Sequence, residues 1–161
     1  MSADTTSNWG PATREQFRRE VRRATRSTGI GAGALCAVGF PVWIAFDYLV
    51  EPERAGEFLW LRICFLIPIL GMWLALIFSR FGERHPEVLL LGITLTINLA
   101  IGLMLAHVDD HYAAYALGMS LTFYGGAFAL LWSPRWMAAL IGLTLGGMAV
   151  ILLISDPIPK A

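Results

Sequence analysis

Five apolar runs, each long enough to cross a bilayer, constrain this chain more than any other feature. They cover about Ile30–Val50, Phe58–Phe78, Val88–Ala106, Tyr112–Trp132 and Trp136–Ile154, about 19–21 residues apiece. At roughly 1.5 Å per residue, a helix of that length matches a hydrocarbon layer of about 30 Å. Lipid leaves no water to satisfy backbone polar groups, so each run must be helical. The connections 51–57, 80–86, 107–111 and 133–135 are short, which favours antiparallel neighbours. The expected fold is all-α: an up-and-down transmembrane bundle of five helices, preceded by a short basic amphipathic helix. Nearly everything after residue 29 is span or turn, so the 161 residues leave no room for a separate globular domain.

Charge sets the expected orientation. The formal net charge is zero and eleven of the twelve basic residues are Arg. Arg14, Arg18, Arg19, Arg22, Arg23 and Arg26 precede the first run, and Arg80, Arg84 and Arg135 fall on the same side. Arg54 and Lys160 lie on the other side, with Arg62 close to its boundary, as do most carboxylates. Basic residues near span ends stay in the cytoplasm. The expectation is a plasma-membrane (bacterial inner-membrane) protein with its N-terminus inside and its C-terminus outside. The first run is too deep and its flank too polar for a cleaved leader.

The expected organisation is a disordered segment 1–12, a cytoplasmic basic helix 13–28, a membrane domain 29–155 and an outer tail 156–161. Thr13 and Gln16 have capping-box spacing, and Phe17, Val21 and Ala24 recur on one face among the arginines. Gly29-Ile-Gly-Ala-Gly33 lacks the strand a dinucleotide loop needs and reads as close helix packing. Gly142 and Gly146 form a small-xxx-small pair, suited to an internal or a dimer contact. Cys36 and Cys64 should differ by roughly 12 Å in depth, too far for a disulfide.

Three places could carry chemistry. Asp47 and Arg62 fall at nearly equal depth on adjacent antiparallel runs, so Arg62 either snorkels outward or pairs with Asp47 as a sensing ion pair. An unpaired charge at a span centre costs about 2.5–3.5 kcal/mol, less near the edge. His107-Val-Asp109-Asp110-His111 places two imidazoles and two carboxylates within one turn, a set that suits zinc, copper or iron. Its plainer reading is a solvated loop in which an Asp caps the fourth span. At mid-bilayer, Pro41 and Pro68 remove one backbone bond each and are candidate hinges. Asn98, Ser120, Thr122 and Thr144 lie at similar depth, where buried polar groups seek one another. These groups read as interhelical bonding or as the lining of a small cavity for a lipid-soluble ligand.

Catalytic signatures are missing: no nucleophile–base pair, no phosphate-binding loop, no HExxH. No cofactor is expected beyond a metal ion at His107–His111. The expected partners are the bilayer and either a second copy or a cytoplasmic effector, with no nucleic acid. A small oligomeric transporter or channel subunit is the rival function.

Asp47-Tyr-Leu-Val-Glu-Pro-Glu53, followed by Phe58-Leu-Trp-Leu-Arg-Ile63, resembles a junction in bacterial membrane sensors. There, span one ends in an Asp-aromatic pair, a Pro-Glu turn follows, and span two begins with a Leu-Arg pair. His111-Tyr-Ala-Ala-Tyr-Ala-Leu-Gly118 is similar to their Tyr-rich fourth-span entry. Ala129-Leu-Leu-Trp-Ser-Pro-Arg-Trp136 is similar to their inner turn. These are the multi-span (MASE-like) input regions of sensor histidine kinases, diguanylate cyclases and adenylate cyclases. The resemblance covers about residues 35–155 and implies signal reception or membrane anchoring without catalysis. The matching positions are Asp47, Tyr48, Pro52, Arg62, Tyr112, Tyr115, Trp132 and Pro134. Such regions usually have six spans, so five imply a sensor truncated before its last span and effector, or one acting through a separate partner.

Overall fold

The computed structural model describes residues 10–108, 112–129 and 134–154. All their regular structure is helical: α1 (Pro11–Val42), α2 (Ile44–Val50), α3 (Ala55–Phe78), α4 (Arg80–Arg84), α5 (Pro86–Leu105), α6 (Tyr112–Ala129) and α7 (Pro134–Ile154). Among the described residues, four stretches are long and apolar enough to cross a membrane: 12–50, 55–78, 86–105 and 134–154. The remaining long helix, α6, has 18 residues and is less apolar than α3, α5 and α7. Its tyrosines, Ser120 and Thr122 are the reason. Of the expected disordered start 1–12, residues 1–9 lie outside the described residues and Pro11 and Ala12 already belong to α1; the expected outer tail 156–161 lies outside them too.

α5 is the hub. Half of its apolar stretch is buried, against 11–17% in the other three. It packs against α1, α3, α6 and α7, and α3 also packs against α1. Ile93, Ile97, Ala100, Ile101 and Met104 recur at helical spacing along its core-facing side. Ile69 and Leu76 of α3 and Phe40 of α1 meet them. Sequence neighbours are spatial neighbours up to α6; α7 then lies against α5.

Two sequence-based expectations are corrected. The basic segment is not a separate helix before the first span. α1 runs unbroken for 32 residues from the arginines into the apolar run. Its start is Pro11 at N1 behind Gly10, with no side-chain cap, rather than a capping box at Thr13. Proline suits that position because its fixed φ is already helical and its missing N–H would be unpaired there anyway. The second connection is also not plain loop, since Arg80–Arg84 form the helical turn α4. Ser79 caps it, its Oγ accepting from Gly82 N at 2.9 Å. A Cβ on Gly82 would lie 2.5 Å from the Ala75 carbonyl oxygen, so the turn can seat against α3 only with glycine there.

α1 and α3 are fastened at the arginine end. Arg26 donates from Nε to Leu76 O (2.9 Å) and from Nη2 to Ile77 O (2.7 Å). Those are among the last carbonyls of α3, which have no partner within their own helix. The glycines at the head of the first run pack closely, as expected: a side chain at Gly29 would meet Leu90, and one at Gly33 would meet the Trp73 ring. The Trp73 indole donates to Ile30 O at 3.0 Å. Cys36 and Cys64 are both free thiols. Gly142 and Gly146 face open space within the chain.

Candidate functional site

The helix is interrupted for one residue where α1 gives way to α2. Pro41 cannot donate to Ala37 O, and two residues later Trp43 interrupts the helix while keeping near-helical dihedrals. Pro68, by contrast, sits within an uninterrupted α3. The short α2 then carries Asp47 inward, fully buried.

Arg62 on α3 meets it. Arg62 Nε donates to Asp47 Oδ2 at 2.7 Å and Nη2 donates to Oδ1 at 3.0 Å. This is the two-pronged pairing that a planar guanidinium makes with a carboxylate, the strongest common form of ion pair. Nη1 donates to Phe40 O at 3.1 Å, and the Phe40 ring lies under the guanidinium with its centroid 5.0 Å from Cζ. Arg62 is 3% exposed, so it does not snorkel. The Tyr115 hydroxyl of α6 donates to Asp47 Oδ1 at 3.0 Å, and its ring packs edge-on against Phe58. Asp47 thus accepts three hydrogen bonds from two other helices. Removing two charges from water is costly, and only geometry this complete offsets it.

A second polar cluster joins α5, α6 and α7 deeper in the bundle. Asn98, fully buried, donates from Nδ2 to Thr144 Oγ1 at 3.3 Å. The Thr122 hydroxyl bonds Asn98 Oδ1 and also lies 2.8 Å from Met119 O. Ser120 stays out of this cluster, bonding Ala116 O on its own exposed helix face.

Between α1, α5 and α6 lies a cavity of about 350 Å³, open on one side. Cys36, Gly39 and Trp43 line it from α1, Ile97 and Ile101 from α5, and Gly118 from α6. One end reaches the ion pair, because Arg62 and Tyr115 are also in its wall. This cavity adjoins Asp47–Arg62, and of the mid-bilayer polar group Asn98, Ser120, Thr122 and Thr144 only Thr122 lines it.

The remaining candidates separate. His107 Nδ1 lies 2.7 Å from Leu103 O, on the last turn of its own helix. Asp109, Asp110 and His111 lie outside the described residues, among which no group of three metal-ligating side chains occurs. Tyr112 opens α6, but its side chain lies outside the described residues, as does Trp132. Tyr48 and Trp60 are 54% and 67% exposed, as suits rings at a lipid–water boundary. Sequence reasoning missed the Phe40 carbonyl as a partner of Arg62. Pro41 does not signal it, because the carbonyl that this proline leaves without its helical donor is Ala37 O.

A family model named MASE8, a membrane-associated sensor domain, matches residues 45–158, well over half of the chain. The chain belongs to the MASE8 family. The match begins just before Asp47 and takes in Arg62, Tyr115 and the Asn98 cluster. It leaves out all of α1, including the cavity wall at Cys36 and Gly39. Neither the comparison with curated proteins nor that with solved structures finds a match. The MASE8 family and the four long apolar helices together make this a multi-pass membrane protein whose family is sensory.

Proposed function

We propose that this chain is the membrane-embedded input region of a bacterial signal-transduction protein, receiving or relaying a signal and catalysing nothing itself. Its effector, a kinase or cyclase, belongs to the same reading frame or to a partner. The N-terminal arginines lie in the cytoplasm and residue 161 lies outside, in the inner membrane. The observation that carries this reading is the Asp47–Arg62–Tyr115 junction. It ties α2, α3 and α6 together beside the helix interruption at Trp43, inside the region matched by a sensory family. A buried ion pair adds little net stability over apolar packing, yet breaking it is costly. That combination suits a contact whose two states must be well separated.

The test is output from the native gene. Asp47→Asn and Arg62→Gln should leave the protein in the membrane and change second-messenger level or effector phosphorylation. Unchanged output from both, with normal insertion, would overturn the sensory reading. A reporter fused after residue 161 that is active in the cytoplasm would overturn the orientation.

A further inference from the structure

The cavity between α1, α5 and α6 is kept open by glycines that packing does not require. Gly39 on α1 and Gly125 on α6 both line it, and a Cβ added to either would meet no atom within 4 Å. Gly118, also in the wall, would only reach ordinary contact with Ile101 and Trp43. Glycine within a helix costs about 1 kcal/mol relative to alanine. At Gly33 that cost accompanies a neighbour, the Trp73 ring, that leaves no room for a side chain. At Gly39 and Gly125 what it accompanies is empty volume. Leu35 and Leu121, also in the wall, are 77% and 52% exposed.

The Arg62 part of the wall defines the chemistry of an occupant. Arg62 has five N–H groups, of which three are used by Asp47 and Phe40. Two N–H groups remain, one on each terminal nitrogen. The guanidinium charge is already matched by Asp47, so this part offers hydrogen-bond donors without net charge. Of the other polar side chains in the wall, Thr94 and Thr122 already bond to Leu90 O and to Asn98 and Met119 O, and the Tyr115 hydroxyl to Asp47; the Trp43 indole and the Cys36 thiol complete the set.

We infer that this cavity binds an uncharged, lipid-soluble small molecule that carries a hydrogen-bond acceptor, such as a carbonyl, at the end facing Arg62. Its volume of about 350 Å³ falls at the lower end of ligand pockets, which span about 300–1,000 Å³. A bound molecule would touch α1, α5 and α6 at once and press on the Arg62–Tyr115 side of the junction. As the identity of the sensed species this rests on the sensory reading above; binding itself needs no signalling output, so the two can fail separately.

Benzophenone is a suitable probe: apolar, uncharged, with one carbonyl that photolabels neighbouring C–H bonds. The full chain in lipid nanodiscs is irradiated with increasing benzophenone, and adducts are mapped by mass spectrometry. Expected are saturable adducts on the α1 and α6 peptides that line the cavity. Gly39→Leu and Gly125→Leu should each lower them by about tenfold or more, the scale on which an apolar pocket rejects a misfit. Both variants should keep the wild-type melting temperature, since the added side chains enter free space. The anionic analogue benzophenone-4-carboxylate should give no saturable adducts there. Labelling that rises without saturation and ignores both variants would mean that bulk lipid chains fill the groove and would overturn the proposal. Equal saturable labelling by the anion would overturn its uncharged character. Chain-to-chain cross-links across this groove would assign it to a second copy instead.

Discussion

The two buried polar clusters solve the same problem by different means. Asp47–Arg62–Tyr115 is ionic and sits beside the interruption between α1 and α2; Asn98–Thr122–Thr144 is neutral and sits within uninterrupted helices. The first joins α2, α3 and α6, and the second joins α5, α6 and α7. α6 is common to both. Tyr115 and Thr122 are seven residues apart, two helical turns along one face. α6 is also less apolar than the other long helices, and its packing is almost entirely against α5. Its place in the bundle therefore depends on two polar anchors rather than on an apolar stripe. An ionic anchor is costly to break, whereas a neutral anchor in lipid contributes only modestly, because a displaced hydroxyl can bond its own helix.

The largest effect should come from unbalancing the ionic cluster. Arg62→Ala leaves Asp47 buried without a counter-charge and should lower stability by about 3–5 kcal/mol, measured by unfolding in mixed micelles. Replacing both partners by apolar residues, Asp47→Leu with Arg62→Met, should recover most of that loss. If the double variant is as unstable as the single one, the ionic cluster is a structural necessity and the contrast with the neutral one disappears.

Tyr115→Phe removes one hydrogen bond to a charged acceptor while keeping the ring against Phe58. A loss of about 1.5–3 kcal/mol is expected. The smallest single effect should be Thr144→Val, about 0.6 kcal/mol and no more than about 1.7, in line with interhelical hydrogen bonds in membranes. The sharpest measurement is a double-mutant cycle between Tyr115→Phe and Thr122→Val. The clusters share a helix but no side-chain partner, so the two losses should add within about 0.5 kcal/mol. Strong coupling would mean that α6 leaves both anchors together, as a single unit.

Legibility in the sequence followed the physics of each feature. Apolar length alone marks the long helices. Depth bookkeeping places Asp47 opposite Arg62 and gathers Asn98, Thr122 and Thr144, because a polar side chain in lipid has few choices. Ser120 shows the limit of that argument, since a hydroxyl can turn back to its own helix and leave no interhelical trace. The contacts of Arg26 with Leu76 and Ile77, and of Arg62 with Phe40, were not legible, because their acceptors are backbone carbonyls, which every residue carries. The continuity of α1 was obscured by Ser27, Thr28 and Gly29, poor helix formers that read as a boundary. Packing of Gly29 against Leu90 holds the helix through them.

Those two arginine contacts have a joint consequence. At one end of the antiparallel pair, an arginine of α1 holds the terminal carbonyls of α3; at the other, an arginine of α3 holds a carbonyl of α1. Each helix is clasped by the other's guanidinium, at opposite ends. Sliding one along the other by a turn, about 5.4 Å, would open both clasps together. The pair therefore resists piston strokes. Tilt and twist, which leave both clasps closed, are the movements that this arrangement opposes least.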